Sequence, residues 1–145
     1  MITITDIEQS DLAQFAVLGE ELFGSETNMT KLTSVFERMQ ADPSYIFIGA
    51  KDDQQRLLGS AMGIICMDTV GECRPFMVLE NIIVSKNSQR QGVGKKLVAY
   101  LEARAREKNC YFVMFLSHAK RKEAHIFYEA IGYPKDIAQG FKKYL

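Results

Sequence analysis

Three stretches of this sequence hold groups that could do chemistry. The first is Ser88-Gln-Arg-Gln-Gly-Val-Gly-Lys-Lys-Leu97, where two glycines one residue apart open a basic amphipathic segment. A helix that starts this way offers unsatisfied backbone N–H groups and the positive end of its dipole, which suits an anion and above all a phosphate. The second is Glu80, a lone carboxylate in the apolar run Arg74-Pro-Phe-Met-Val-Leu-Glu-Asn-Ile-Ile-Val84. Burying it without a partner would be costly, so it is either half of an ion pair or a group that takes protons. The third runs from His118 to Tyr133 and gathers His118, Arg121, His125 and Tyr128. Cys66, Cys73 and Cys110 form no Cys-x-x-Cys pair and lie in or near apolar segments. They read as buried reduced thiols, so neither a zinc site nor a disulfide is expected.

Known phosphate loops constrain the first stretch. A Walker A loop aligned on Gly94-Lys95 places Gln89 at its first glycine and Lys96 at its magnesium-binding hydroxyl, so both ends fail. A dinucleotide fingerprint needs a third glycine where Leu97 stands, and it fails too. The pattern left is Gln-x-x-Gly-x-Gly, Gln89 to Gly94. Charge points the same way. Residues 1–85 hold 5 Lys and Arg against 13 Asp and Glu, whereas residues 86–145 hold 13 against 5. The glycine stretch therefore begins a strongly basic half suited to a polyanion. No aromatic-basic signature of a nucleic-acid module accompanies it.

The elements that must position these groups follow from periodicity. Residues 2–5 alternate as a short strand. Leu12, Phe15, Ala16, Gly19, Leu22 and Phe23 share one helical face, with Asp6 or Ser10 as N-cap candidates. Leu32, Val35, Phe36 and Met39 repeat that spacing, and Asp42-Pro43 ends the second helix. Residues 44–50 and 57–67, joined by a polar turn, read as a β-hairpin, and 74–84 as a further strand. Val93, Leu97, Leu101 and Ala105 then mark a helix running to about Lys108. The continuous apolar run 110–118 predicts a strand buried on both faces. Ala124, Phe127, Tyr128 and Ile131 form a last helical stripe, stopped by Gly132 and Pro134, and 140–145 reads as an edge strand. The order β-α-α-β-β-β-α-β-α-β over one domain, 1–145, predicts an α/β (α+β) fold. About six strands should form a mixed twisted sheet with helices on both faces. There is no apolar run of membrane-spanning length and no signal-peptide pattern at the N-terminus, so a cytoplasmic protein with no membrane partner is expected.

Gln89-Arg-Gln-Gly-Val-Gly94, following a strand and opening a helix, resembles the acetyl-CoA pyrophosphate loop of the GNAT superfamily of N-acetyltransferases. Glu123 to Tyr133, "EAHIFYEAIGY", is similar to that superfamily's Ala-x-x-Phe-Tyr-x-x-x-Gly-Phe/Tyr helix, and element order and spacing agree along nearly the whole chain. The resemblance implies acetyl-CoA as cosubstrate, held by Gln89, Arg90, Gln91, Gly92, Val93, Gly94 and Lys95. Gly92 and Gly94 lack a Cβ that would block the oxygens. It also implies that the pantetheine arm pairs with the backbone of Ile82, Ile83 and Val84, where an N–H would face the acetyl oxygen. No metal is implied.

Acetyl transfer to an amine needs a deprotonated amine, a polarised carbonyl and a stabilised thiolate. Tyr128 matches the family tyrosine that serves the CoA sulfur; read by periodicity alone it is a core aromatic. Glu80, on the thioester strand, is the candidate base, directly or through water, with a structural ion pair as the alternative. His125 is either a substrate contact or base, or a hydrogen-bonded helix histidine, and His118 is equally ambiguous. Arg121 stands where many family members carry an Asn that contacts the pantetheine arm; it could meet a phosphate, an acidic substrate group or only the helix end. The expected activity is N-acetylation of a primary amine, a small molecule first, by direct attack in a ternary complex. A protein or peptide acceptor, a non-catalytic acyl-CoA sensor and, outside the family, a nucleotide-binding protein are the alternatives. A homodimer is left open.

Overall fold

The expected hairpin sits at the centre of the sheet. In the computed structural model, which describes Met1 to Leu145, the chain falls into two compact units, Met1–Met114 and Phe115–Leu145. The first unit runs β1 (Thr3–Asp6), α1 (Leu12–Phe23), α2 (Met29–Gln40), β2 (Tyr45–Lys51), β3 (Leu57–Cys66), β4 (Phe76–Val84), α3 (Val93–Glu107) and β5 (Val113–Met114). The five strands lie in the order β1-β2-β3-β4-β5; the first four pair antiparallel, and β5 joins β4 in parallel. This is the mixed α/β sheet expected, with five strands hydrogen-bonded.

Helices cover both faces because the strands alternate. On one face Ile7, Leu57 and Ile83 cluster with Leu12 and Leu18 of α1 and Phe36 of α2. On the other, Gly59 and Gly63 make room for α3. A Cβ on Gly59 would stand 2.9 Å from Val93 and 2.7 Å from the Ile83 carbonyl, and one on Gly63 would stand 3.1 Å from Leu101. Val93, Leu97, Val98 and Leu101 are accordingly buried to within 2%. Burial of side chains this size contributes roughly 1.5–3 kcal/mol each. The start of α1 is tied to the sheet by a buried ion pair, Lys51 Nζ to Asp11 Oδ1 at 2.9 Å. The other carboxylate oxygen, Oδ2, accepts from the Glu8 N–H. Neither Asp6 nor Ser10 caps α1; Asp11 stands at its N-cap position, at the end of a 3-10 turn, and makes no side-chain cap hydrogen bond. The second helix is capped by Asn28, whose side chain accepts from the Lys31 N–H.

The second unit, Phe115–Leu145, contains α4 (Lys122–Ala130) and no strand. Two sequence expectations change here. The apolar run 110–118 yields only β5, and it is not buried on both faces: Tyr111, Phe112, Met114 and Leu116 are all exposed. A continuous apolar run fixes only the hydrophobicity of both sides; burial also needs a covering layer on each. Residues 140–145 form no strand, and Phe141, Tyr144 and Leu145 are exposed. An alternating pattern becomes a strand only with a ladder to join, and the second unit supplies none. Gly140 does run against the Leu116 side chain. All three cysteines are free, but Cys73 is exposed and Cys66 and Cys110 only half-buried, so the expectation of buried thiols is corrected. No helix is long and apolar enough to cross a membrane.

Candidate active site

After β4 the chain makes a short 3-10 turn, Lys86–Ser88, tied down by Ser85 N–H to the Leu58 carbonyl and by Lys86 N–H to the Glu21 carboxylate of α1. Ser88 is buried, while Gln89, Arg90, Gln91 and Gly92 are exposed. The turn needs left-handed backbone twice, at Arg90 (φ 63°) and Gly92 (φ 80°). Gly92 is the N-cap of α3 and no side chain caps it. The helical ladder begins with Lys96 N–H to the Gly92 carbonyl at 3.0 Å, so the amides of Val93, Gly94 and Lys95 precede the first helical bond. No protein atom lies within 4 Å of where a Gly92 Cβ would stand. Lys86, Arg90, Lys95 and Lys96 fall in this turn and the first residues of α3, all exposed and none in an ion pair. Open amides, a dipole end and four unpaired cations are the groups an anion would need. Gln91 instead turns its amide onto the Asn87 carbonyl, 3.3 Å away, and lines a cavity of about 540 Å³ shared with Met1, Asp52 and Arg56.

Upstream, β4 is interrupted where the chemistry is expected. Ser60 pairs with Ile83 and Met62 with Glu80, so Asn81 and Ile82 both stand opposite Ala61 in a β-bulge. Asn81 takes φ 53° to make it. On the other edge β5 accompanies β4 only at Met77 and Val78. Beyond Val78 the β5 side of β4 therefore has no strand, and the bulged Asn81-Ile82 segment falls in that stretch. Ile83 is buried, and Ile82 and Val84 half-buried, so what they can offer a ligand is backbone. Glu80 is exposed and makes no salt bridge or side-chain hydrogen bond. The structural ion pair is thus not formed, and the carboxylate incurs no burial cost.

In the second unit, Arg121 immediately precedes α4 and Tyr128 lies two turns further on. Tyr128 is 8% exposed and packed edge-on against Phe115, ring centroids 4.5 Å apart. Burial pushes its phenol above the usual 10.0, and the charge of Arg121 and its hydrogen bond to the hydroxyl pull it back. His125 is half-buried, with Nε2 3.0 Å from the His118 carbonyl, and His118 Nδ1 accepts from the Lys120 N–H. His125 is therefore a hydrogen-bonded helix histidine. The structure gathers Glu80, Ile82–Val84 and the glycine turn within the first unit, and Arg121, His125 and Tyr128 within the second. The bulge at Asn81 went unread in the sequence. Its one signal was the residue type, since Asn tolerates the left-handed region better than most.

A five-stranded mixed sheet with a glycine turn between its fourth strand and third helix defines an acetyltransferase-type α/β fold. The chain belongs to the acetyltransferase (GNAT) family, whose model matches residues 10–133. No curated protein matches it. Solved structures share the fold at low identity. A candidate acetyltransferase from Agrobacterium tumefaciens is 24% identical, with a TM-score of 0.91 and 99% of both chains covered. Glucosamine-6-phosphate N-acetyltransferase from Arabidopsis thaliana is 19% identical, with a TM-score of 0.85 and 99% of both chains covered. AAC(6')-Iy, in complex with the bisubstrate analog CoA-S-monomethyl-acetylneamine, is 20% identical, with a TM-score of 0.83, covering 100% of this chain and 99% of its own.

Proposed function

We propose that this chain is an acetyl-CoA-dependent N-acetyltransferase acting on a primary amine of a small molecule, by direct attack in a ternary complex. The observation that carries the reading is the uncapped start of α3 behind Gly92, together with four unpaired cations, in a member of this family. A pyrophosphate fits there because the space before Gly92 is open and the amides of Val93, Gly94 and Lys95 are unspent. Bound acetyl-CoA supplies the thioester whose C–S bond breaks as the new C–N bond forms. Backbone N–H at Ile82–Val84 polarises the acetyl oxygen. Glu80 takes the proton the amine loses, directly or through a water, and Tyr128 gives a proton or hydrogen bond to the departing sulfur.

Two structural neighbours, glucosamine-6-phosphate N-acetyltransferase and AAC(6')-Iy in complex with an acetylneamine bisubstrate analog, support an amine acceptor. We also read the protein as cytoplasmic, in keeping with three free thiols. The two units work as one domain in this reading, because the family match crosses their boundary at residue 114. Thermal unfolding with added ligands tests the cofactor. CoA at about 100 times its Kd should stabilise the protein by roughly 2.7 kcal/mol, while ATP and NAD leave the melting temperature where it was. An equal response to ATP, or none to CoA, contradicts the reading.

A further inference from the structure

The sheet face that carries Glu80 is covered at one end and open at the other. Glu80, Val78 and Phe76 alternate along β4 with Leu79 and Met77, which are buried on the α3 side. A ligand can therefore approach Glu80 only from the face opposite α3. At the covered end of that face, Phe47 lies against Phe15 of α1, ring centroids 4.9 Å apart, and against Phe36 of α2. Toward β5 the cover ends. Met114, the partner of Val78, is 42% exposed, and Phe112 is 40% exposed. Phe76 stacks on Phe112 with centroids 5.0 Å apart and planes 11° from parallel. The platform is braced from behind: Tyr111 stands edge-on to Phe112, and the Arg74 guanidinium sits 5.6 Å from the Tyr111 ring centre.

Resting on the acetyltransferase reading above, we propose that this face selects the acceptor, and that the acceptor is an amine with an apolar body, aryl-alkyl or alkyl. Its ammonium pairs with Glu80, and its body lies along Val78 and Met114 toward the Phe76–Phe112 stack. Same-face neighbours on a strand are about 6.7 Å apart, so Phe76 lies two such steps, about 13 Å, from Glu80. An amine with a carbon arm and a ring covers that span together with the reach of the Glu80 and Phe76 side chains. Charge complementarity favours this occupant. One unpaired carboxylate at the border of an apolar strip suits one cation on an apolar body. A polyol would bring hydroxyl groups onto rings and methyls that offer them no partner, and a polycation would leave its further charges without a second carboxylate on the strip.

The test is acetyl transfer to matched amines, 2-phenylethylamine and n-hexylamine against glucosamine and spermidine, with wild type and Phe112→Ser. The apolar amines should show kcat/KM at least about tenfold higher, and Phe112→Ser should raise KM for 2-phenylethylamine about tenfold with CoA affinity unchanged. Preference for glucosamine or spermidine, with Phe112→Ser indifferent to the amine, overturns the proposal. If CoA binds but no amine is acetylated, the catalytic reading fails separately. Saturation-transfer NMR of 2-phenylethylamine on the CoA complex then decides this one. A ring-proton signal present with wild type and absent with Phe112→Ser supports it, and no signal with wild type overturns it. A dimer in sedimentation that Phe112→Ser dissociates, without change in amine preference, makes the face an interface between copies and also overturns it.

Discussion

At the scale of single residues, the proposed role of Tyr128 toward the departing thiolate turns on burial and on the charge of Arg121. A guanidinium has only N–H donors, so Arg121, whose charge pulls the phenol down, cannot take the hydroxyl proton and leaves it to be given elsewhere. Full transfer from a phenol to a thiolate at their reference values, near 10 and 8.5, is uphill by about 2 kcal/mol. Burial of Tyr128 adds to that and the Arg121 charge offsets only part of the addition, so a hydrogen bond to the departing sulfur is the easier route. Positioned acids contribute roughly 10²–10⁴ in rate. Tyr128→Phe keeps the ring against Phe115 and leaves only the exposed Arg121 without its hydrogen bond. Its kcat should fall at least about tenfold, with melting temperature and CoA affinity nearly unchanged at neutral pH. Alkaline pH should separate the two proteins further. A phenol raised in the folded state contributes stability that is present below its unfolded value of 10.0 and lost as pH rises through the folded value. Wild type should therefore lose stability above that pH more steeply than Tyr128→Phe, as read by chemical denaturation across the alkaline range. A kcat within about twofold of wild type, with chemistry limiting, leaves Tyr128 a core aromatic. Glu80 stood out in the sequence as a carboxylate in an apolar run, whereas Tyr128 fitted its helical stripe and stood out only through the family motif. The partner of Tyr128 was not legible, because a position seven residues before it says nothing of where a long flexible side chain ends.

At the scale of elements, legibility followed packing. The strand–turn–helix from β4 to α3 could be read because each part carries a local signal: β-branched residues, paired glycines, then apolar residues at helical spacing. Strand β5 and the terminal segment could not, since their fate depends on which layer or ladder lies beside them. Gly92 shows how local the turn's requirement is. At φ 80° any L side chain is strained by roughly 1–2 kcal/mol, although its Cβ would meet no protein atom. Gly92→Val should therefore fold, melting a few degrees lower, and should lose the CoA-induced rise in melting temperature because its side chain fills the space before the open amides. An undiminished CoA shift in the folded variant would move the anion site away from this turn.

At the scale of the whole molecule, an acidic first half and a basic second half sum to a formal charge of zero. That division was plain in the sequence, and under the proposed function it has a physical use: the glycine turn opens the basic half, where a polyanionic cosubstrate would gain most from Lys86, Arg90, Lys95 and Lys96. The family assignment covers residues 10–133 and reaches into both units, but fold alone does not establish catalysis. The central claim is that an acetyl group moves from CoA to an amine, with Glu80 as the base. The most direct measurement is mass-spectrometric detection of isotopically labelled acetyl transferred from acetyl-CoA to a panel of primary amines at pH 7, with wild type and Glu80→Gln side by side. An alkyl ammonium with a pKa near 10 is mostly unreactive at that pH, so a positioned base should matter. The expected result is labelled N-acetyl amine formed in step with free CoA by wild type. Glu80→Gln should be slowed at least about tenfold, and the defect should shrink as pH rises and free amine becomes abundant. CoA binding with no labelled amine from any acceptor would contradict the claim and leave an acyl-CoA sensor in its place.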